Sequence, residues 1–171
     1  MNEPNLDQKL INAYDNMMAH VAKLLDNAEQ KALPTLQKNL EKAMIQSIEL
    51  KEITKEEAEK LAYYIRRDLD DAAHYLEQTG DELSTWISFD LELVEQRLWD
   101  VFSKVADKTR IELAQLKAQA KRAQEYHTGE ITGIGTLACE SCNSLVHFKK
   151  TSRIPPCPKC HHSVFIRTSG H

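Results

Sequence analysis

Cys139-Glu-Ser-Cys142 and Cys157-Pro-Lys-Cys160 are two Cys-x-x-Cys pairs separated by 14 residues. A Cys-x-x-Cys turn brings two sulfurs to one side of a tight knuckle. Two facing knuckles place four thiolates at the corners of a tetrahedron, a shape Zn²⁺ accepts at Zn–S distances of about 2.3 Å. The flanking residues suit a small β ribbon. Gly135-Thr-Leu-Ala-Cys139 leads into the first knuckle, Leu145-Val-His-Phe148 leaves it as a strand, Pro155 and Pro156 stiffen the return, and Val164-Phe-Ile-Arg167 forms a last strand. Cys139, Cys142, Cys157 and Cys160 are therefore the predicted metal ligands, with one structural Zn²⁺ per chain. Four cysteines leave no coordination position open for water, as a catalytic zinc would need. The same thiolates suit an iron site, and the spacing does not separate the two metals. Zinc is preferred because nothing else in the chain points to a redox partner. Disulfides would need an oxidising compartment, and a thioredoxin-like pair would need a βαβ context.

Outward from the cysteines, the chain changes character near residue 126. Among 171 residues, Gly occurs at 80, 129, 133, 135 and 170, and all four Cys lie beyond 138. Residues 1–125 carry a net charge of −7 and residues 126–171 a net of +3, within an overall −4. Two regions follow: a long-helix bundle over 1–125 and a zinc ribbon over 126–171. A module of this size has little core of its own, so the ribbon is expected to fold only with metal bound.

The first region reads as helix throughout, rich in Ala, Leu, Glu, Lys and Gln. Leu10, Ala13, Met17, Val21, Leu24 and Ala28 step by three or four, and Leu36, Leu40, Ala43 and Ile48 resume the stripe beyond Pro34. Pro34 should kink this helix or split it. Thr54-Lys-Glu-Glu57 has the form of a capping box opening a second helix through Ala58, Leu61, Ile65, Leu69, Ala72 and Leu76, with Gly80 placed to end it. A third helix is predicted through Ile87, Leu91, Val94, Leu98, Val101 and Val105, on through Leu113, Leu116 and Ala120 to about 125. Asp81, Ser84 and Ser88 are its candidate N-caps. Narrow seams on charged helices predict a mainly α, elongated, coiled-coil-like antiparallel hairpin or bundle, with helices reaching about 60 Å over roughly 40 residues. A seam left uncovered would call for a homodimer.

His161 and His162 follow the second knuckle, but with four cysteines present they read as sulfur-adjacent or solvent-facing. Gly129, Gly133 and Gly135 match neither a dinucleotide-binding nor a Walker A pattern and read as a strand and turn into the ribbon. Arg66-Arg67 beside Asp68, Asp70 and Asp71 is the densest charge cluster, read as a solvated helix face with weak ion pairs rather than an interaction patch. Trp86, Trp99 and Phe102 read as core. Phe148 and Phe165 among Lys149, Lys150, Arg153, Lys159 and Arg167 raise an alternative, a nucleic-acid-binding ribbon near transcription or translation machinery; the modest +3 and the acidic helices oppose it. No catalytic dyad, triad or activated nucleophile can be assembled. Mean hydropathy is −0.51, no apolar run approaches the roughly 18 residues of a membrane span, and the start lacks a signal peptide. A cytoplasmic, non-enzymatic adaptor with an unidentified protein partner is the expectation.

Tyr126-His-Thr-Gly-Glu-Ile-Thr-Gly-Ile-Gly-Thr-Leu-Ala-Cys139 followed by two knuckles resembles the bacterial YbeL-like zinc-ribbon-containing proteins. Arg66-Arg-Asp-Leu-Asp-Asp71, Leu98-Trp99 and Asp107-Lys-Thr109 are similar to stretches of that family's helices. The resemblance covers roughly residues 50–171. It implies a cytoplasmic domain of unknown function without an assigned enzyme activity, and ligation by Cys139, Cys142, Cys157 and Cys160.

Overall fold

Thr54 opens a helix as its capping box predicts. Its hydroxyl accepts from the Glu57 amide at 3.2 Å, and Glu57 Oε2 accepts from the Thr54 amide at 2.9 Å. The computed structural model describes residues 6–27, 35–80, 82–87, 89–110, 112 and 125–168. The capped helix is α3, Lys55–Thr79, ended by Gly80 at φ 69°. Before it lie α1, Leu6–Asn27, and α2, Thr35–Glu49. The stretch read as one kinked or split helix is thus two, with α2 starting directly after Pro34. Residues 28–34, which include Ala28, lie outside the described residues.

The third helix is not continuous. It is replaced by α4, Leu83–Trp86, a 3-10 turn, Leu91–Leu93, and α5, Gln96–Lys108. Asp90 accepts from the Glu92 amide at 3.0 Å, and Glu95 accepts from the Leu98 amide at 2.7 Å. These local bonds offer the backbone an alternative to helix. Ser84 falls inside α4, Glu95 rather than any predicted cap begins α5, and Asp81, Ser88, Leu113, Leu116 and Ala120 lie outside the described residues. The longest described helix is α3 with 25 residues, about 37 Å at 1.5 Å per residue, well short of the expected 60 Å.

α1 also departs from a narrow seam. It buries Ala13 and Tyr14, Met17 and Met18, Val21 and Ala22, then Leu25. Two residues per turn are covered because α1 packs against α2, α3, α5 and the strand Ser152–Arg153. Lys9 near the start of α1 pairs with Glu57 at the start of α3 at 3.3 Å. Asp26 at the far end of α1 binds Lys104 and Lys108 of α5. These contacts make α1, α3 and α5 run in the same sense. Trp86 and Phe102 stack at 5.3 Å in the core, as predicted for both. No described helix is long and apolar enough to cross a membrane.

The C-terminal part forms two antiparallel sheets. β1, Glu125–His127, β6, Val164–Arg167, β3, Gly135–Cys139, and β4, Leu145–Phe148, make one, in the order β1-β6-β3-β4. β2, Ile131–Thr132, and β5, Ser152–Arg153, make the other. The register pairs Cys139 with Phe165 and Ala138 with both Ile166 and Leu145. Tyr126, Leu137, Phe148, Ile154 and Phe165 surround Cys139 and Cys157 in a small core of their own, while Ile131 and Ile134 enter the helical core.

Candidate metal centre

The two knuckles share one backbone geometry. In the first, the Cys139 amide donates to Ser144 O and the Asn143 amide to Cys139 O, both at 2.9 Å; in the second, Cys157 donates to His162 O and His161 to Cys157 O, again both at 2.9 Å. The residue after each second cysteine is left-handed, Asn143 at φ 61° and His161 at φ 65°. Asn and His tolerate that region better than most residues. His161 therefore serves the turn, and His162 lies 3.7 Å from Glu140 of the opposite knuckle.

The knuckles bring four free thiols together, with ligand atoms all within 4.8 Å of one another. Cys139 and Cys160 sulfurs are 3.5 Å apart, Cys142 and Cys157 3.6 Å. A disulfide would require about 2.05 Å, whereas four sulfurs at about 2.3 Å from a central ion have edges of about 3.8 Å. The cluster therefore fits a tetrahedral, soft, divalent ion. Its electrostatics agree. Hydrogen bonding with Ser144 draws the Cys142 thiol down to about 6, and the Cys160 amide lowers Cys157. A backbone bond from His162 favours the Cys160 thiolate, but desolvation and the three neighbouring sulfurs outweigh it and push that thiol up to about 11. A cation at the centre removes this mutual repulsion. Among the described residues these four are the group placed to hold a metal.

A buried charge network, rather than a solvated helix face, seats the ribbon on the helices. Arg67 and Asp68, assigned to a solvated face, have fully buried side chains. Arg67 donates to Glu130 at 2.7 Å and to Ile131 O at 3.2 Å, and its guanidinium stacks 3.9 Å from the Tyr126 ring centre. Asp68 accepts from the Gly133 amide at 2.9 Å, Arg167 at 3.0 Å, Thr132 at 3.2 Å, and from Tyr14. Arg167 also lies 3.8 Å from Asp71, which accepts from the Tyr126 hydroxyl. Burial comes first in raising Asp71 to about 6, with Arg167 and Tyr126 opposing it. Burial likewise lifts Tyr14 and Tyr126 well above the usual phenol range. The signal was present: Asp68 lies on the same helical face as Leu61, Ile65 and Ala72, and Arg167 alternates with Phe165 toward the inside.

Gly133 and Gly135, between and at the start of the strands, have a packing reason. A Cβ on Gly133 would stand 2.8 Å from the Tyr14 hydroxyl, and Gly135 adopts φ 137° where Arg167 and Trp86 close over it. Phe148 and Phe165 are buried in the ribbon, and Arg153 pairs with Asp7. These aromatics are not presented for base stacking.

Residues 23–169 match the family described as the zinc-ribbon containing domain. Over 159 residues the chain is 28% identical to the uncharacterized protein YbeL of Escherichia coli K12, a span covering 93% of this chain and 96% of that protein. The YbeL proteins of Escherichia coli O6:H1 and O157:H7 match to the same extent. Likeness thus begins well upstream of residue 50, where the motif resemblance started. No solved structure matches the chain significantly.

Proposed function

The chain belongs to the zinc-ribbon containing domain family, and from that premise we propose that it is a non-enzymatic adaptor, holding one structural zinc ion and binding another protein through its helices. The carrying observation is the closure of the sulfur cluster: four thiols occupy four corners, leaving no position for substrate or water. Zinc supplies structure there, and Cys139, Cys142, Cys157 and Cys160 would hold it. Free thiols suit a reducing compartment such as the cytoplasm. Ile45, Leu50 and Tyr63 are large apolar side chains exposed on and beside the helices, and they offer contact area to a partner or a second copy.

The adaptor reading is preferred to a nucleic-acid-binding ribbon because Phe148, Phe165 and Arg167 are engaged inside the protein. Metal analysis of freshly purified, colourless protein should return one zinc per chain; visible absorbance would point to iron instead. A pulldown with the intact chain should recover a protein partner that a Cys157→Ser variant loses. Recovery of no partner by either removes the support for an adaptor. A gel shift that weakens steeply with salt would favour nucleic acid.

A further inference from the structure

Away from the cysteines, α1, the start of α5 and the segment leading into β5 line a half-open cavity of about 570 Å³. That volume lies within the range of small-molecule sites, roughly 300–1,000 Å³. Its floor is apolar: Met18, Phe102 and Ile134 are buried, and Ile11, Leu98 and Val101 are partly covered. Its rim is polar, and most of the rim is already engaged. Asp15 accepts from Thr151, Glu95 accepts from the Leu98 amide at 2.7 Å, and Gln8 donates to Asn12 at 2.8 Å. The side chains of two exposed residues on the same lining, Arg97 and Lys150, make no hydrogen bond or close ion pair among the described residues, although the Arg97 charge attracts the Asp15 carboxylate. An apolar floor under two exposed cations, one of them only partly offset by Asp15, suits a ligand with an apolar body and an anionic head.

We propose that this cavity binds a small amphiphilic monocarboxylate, with its head at Arg97 and Lys150 and its body on Met18, Phe102 and Ile134. A carboxylate matches the planar fork of a guanidinium. Asp15 and Glu95 stand on the same lining and select against ligands of higher negative charge. A cationic amphiphile would meet Arg97 and Lys150 unfavourably, and Asp15, facing Arg97, and Glu95, held at the N-terminus of α5, compensate only in part.

The test titrates decanoate and 3-phenylpropanoate into the metal-loaded full chain by calorimetry at low salt, with decyltrimethylammonium as the cationic counterpart. Saturable binding of at least one carboxylate at a single site is expected. Arg97→Gln should weaken it by roughly tenfold, Arg97→Gln with Lys150→Gln further, and Val101→Trp, which fills the cavity, should abolish it. Lys38→Gln on the exposed side of α2 should bind like the parent. Arg97 and Lys150 are exposed, so their variants keep the test meaningful even where Val101→Trp fails to fold. The proposal is overturned by the absence of saturable binding of both carboxylates, by equal binding of the ammonium compound, or by affinity that Arg97→Gln leaves unchanged.

Discussion

Replacing Arg167 with Met measures how firmly the ribbon is held to the helices. Methionine keeps a long apolar stem against Tyr126 and Trp86, whose rings lie 4.7 and 5.0 Å from the guanidinium, so the change removes the charge and its hydrogen bonds but keeps the packing. In the folded chain that side chain is only 5% exposed and reaches Asp68 at 3.0 Å. It also donates to Thr132 at 3.2 Å and to Tyr126 at 3.3 Å. Without Arg167, the fully buried Asp68 keeps one nearby cation, Arg67 Nε at 3.6 Å. Breaking a buried pair while its partner stays behind costs about 3–5 kcal/mol, a large share of the roughly 5–15 kcal/mol that stabilises a typical domain. At about 2–4 °C per kcal/mol for a chain of this length, the melting temperature should drop by roughly 6–20 °C. Urea unfolding of metal-saturated protein, followed by far-UV circular dichroism, reads the difference. Arg66→Met is the control: Arg66 bonds Gln37 at 2.6 Å at the surface, and its loss should cost no more than about 0.5 kcal/mol. Asp68→Leu with Arg167→Leu should cost less than the two single changes together, since neither member of that pair is left without the other, while Arg67 keeps Glu130. A loss below about 1 kcal/mol for Arg167→Met, or one equal to the Arg66→Met control, refutes the claim that this network fastens the two parts.

Removal of the metal by a chelator should unfold β1, β3, β4 and β6, because structural zinc supplies about 10–16 kcal/mol to modules of this kind; amide hydrogen exchange should accelerate through the ribbon and also around Arg67 and Asp68, and unchanged exchange would contradict this. His161→Gly should retain full metal content with near-parent stability, whereas His161→Val should cost about 1–2 kcal/mol for its left-handed backbone; metal loss in the glycine variant would make His161 a ligand. Asp15→Asn probes a half-buried acid, raised from 3.8 to about 6 chiefly by desolvation. The folded chain holds that extra proton between about pH 4 and 6, so the group's contribution is most favourable below the lower value and is lost as pH rises through the upper one. The amide should therefore stabilise the metal-loaded protein at pH 8 by about 1–3 kcal/mol, and equal or lower denaturation midpoints there would rule the reasoning out.

The four-cysteine cluster is legible in the sequence because knuckle geometry is local. Cys139-Glu-Ser-Cys142-Asn143 and Cys157-Pro-Lys-Cys160-His161 carry within five residues both the sulfurs and the residue types that bear a left-handed turn. The capping box at Thr54 and the strands Gly135–Cys139, Leu145–Phe148 and Val164–Arg167 were legible for the same reason. The third helix was misjudged where Asp90 and Glu95 capture nearby amides, a competition that apolar spacing alone does not register.

The role of Arg67, Asp68 and Arg167 was settled only in three dimensions. A charged helix face is solvated or buried according to what docks on it, and here the docking surface lies far along the chain: Arg167 reaches Asp68 across 99 residues. The wide apolar face of α1 and the cavity beside it arise in the same way, from walls supplied by separate segments. Short-range pattern selects turns, caps and ligands because their partners are a few residues away. Desolvation of a charge depends on the whole packed surface around it, and that surface exists only after the ribbon has closed on the helices.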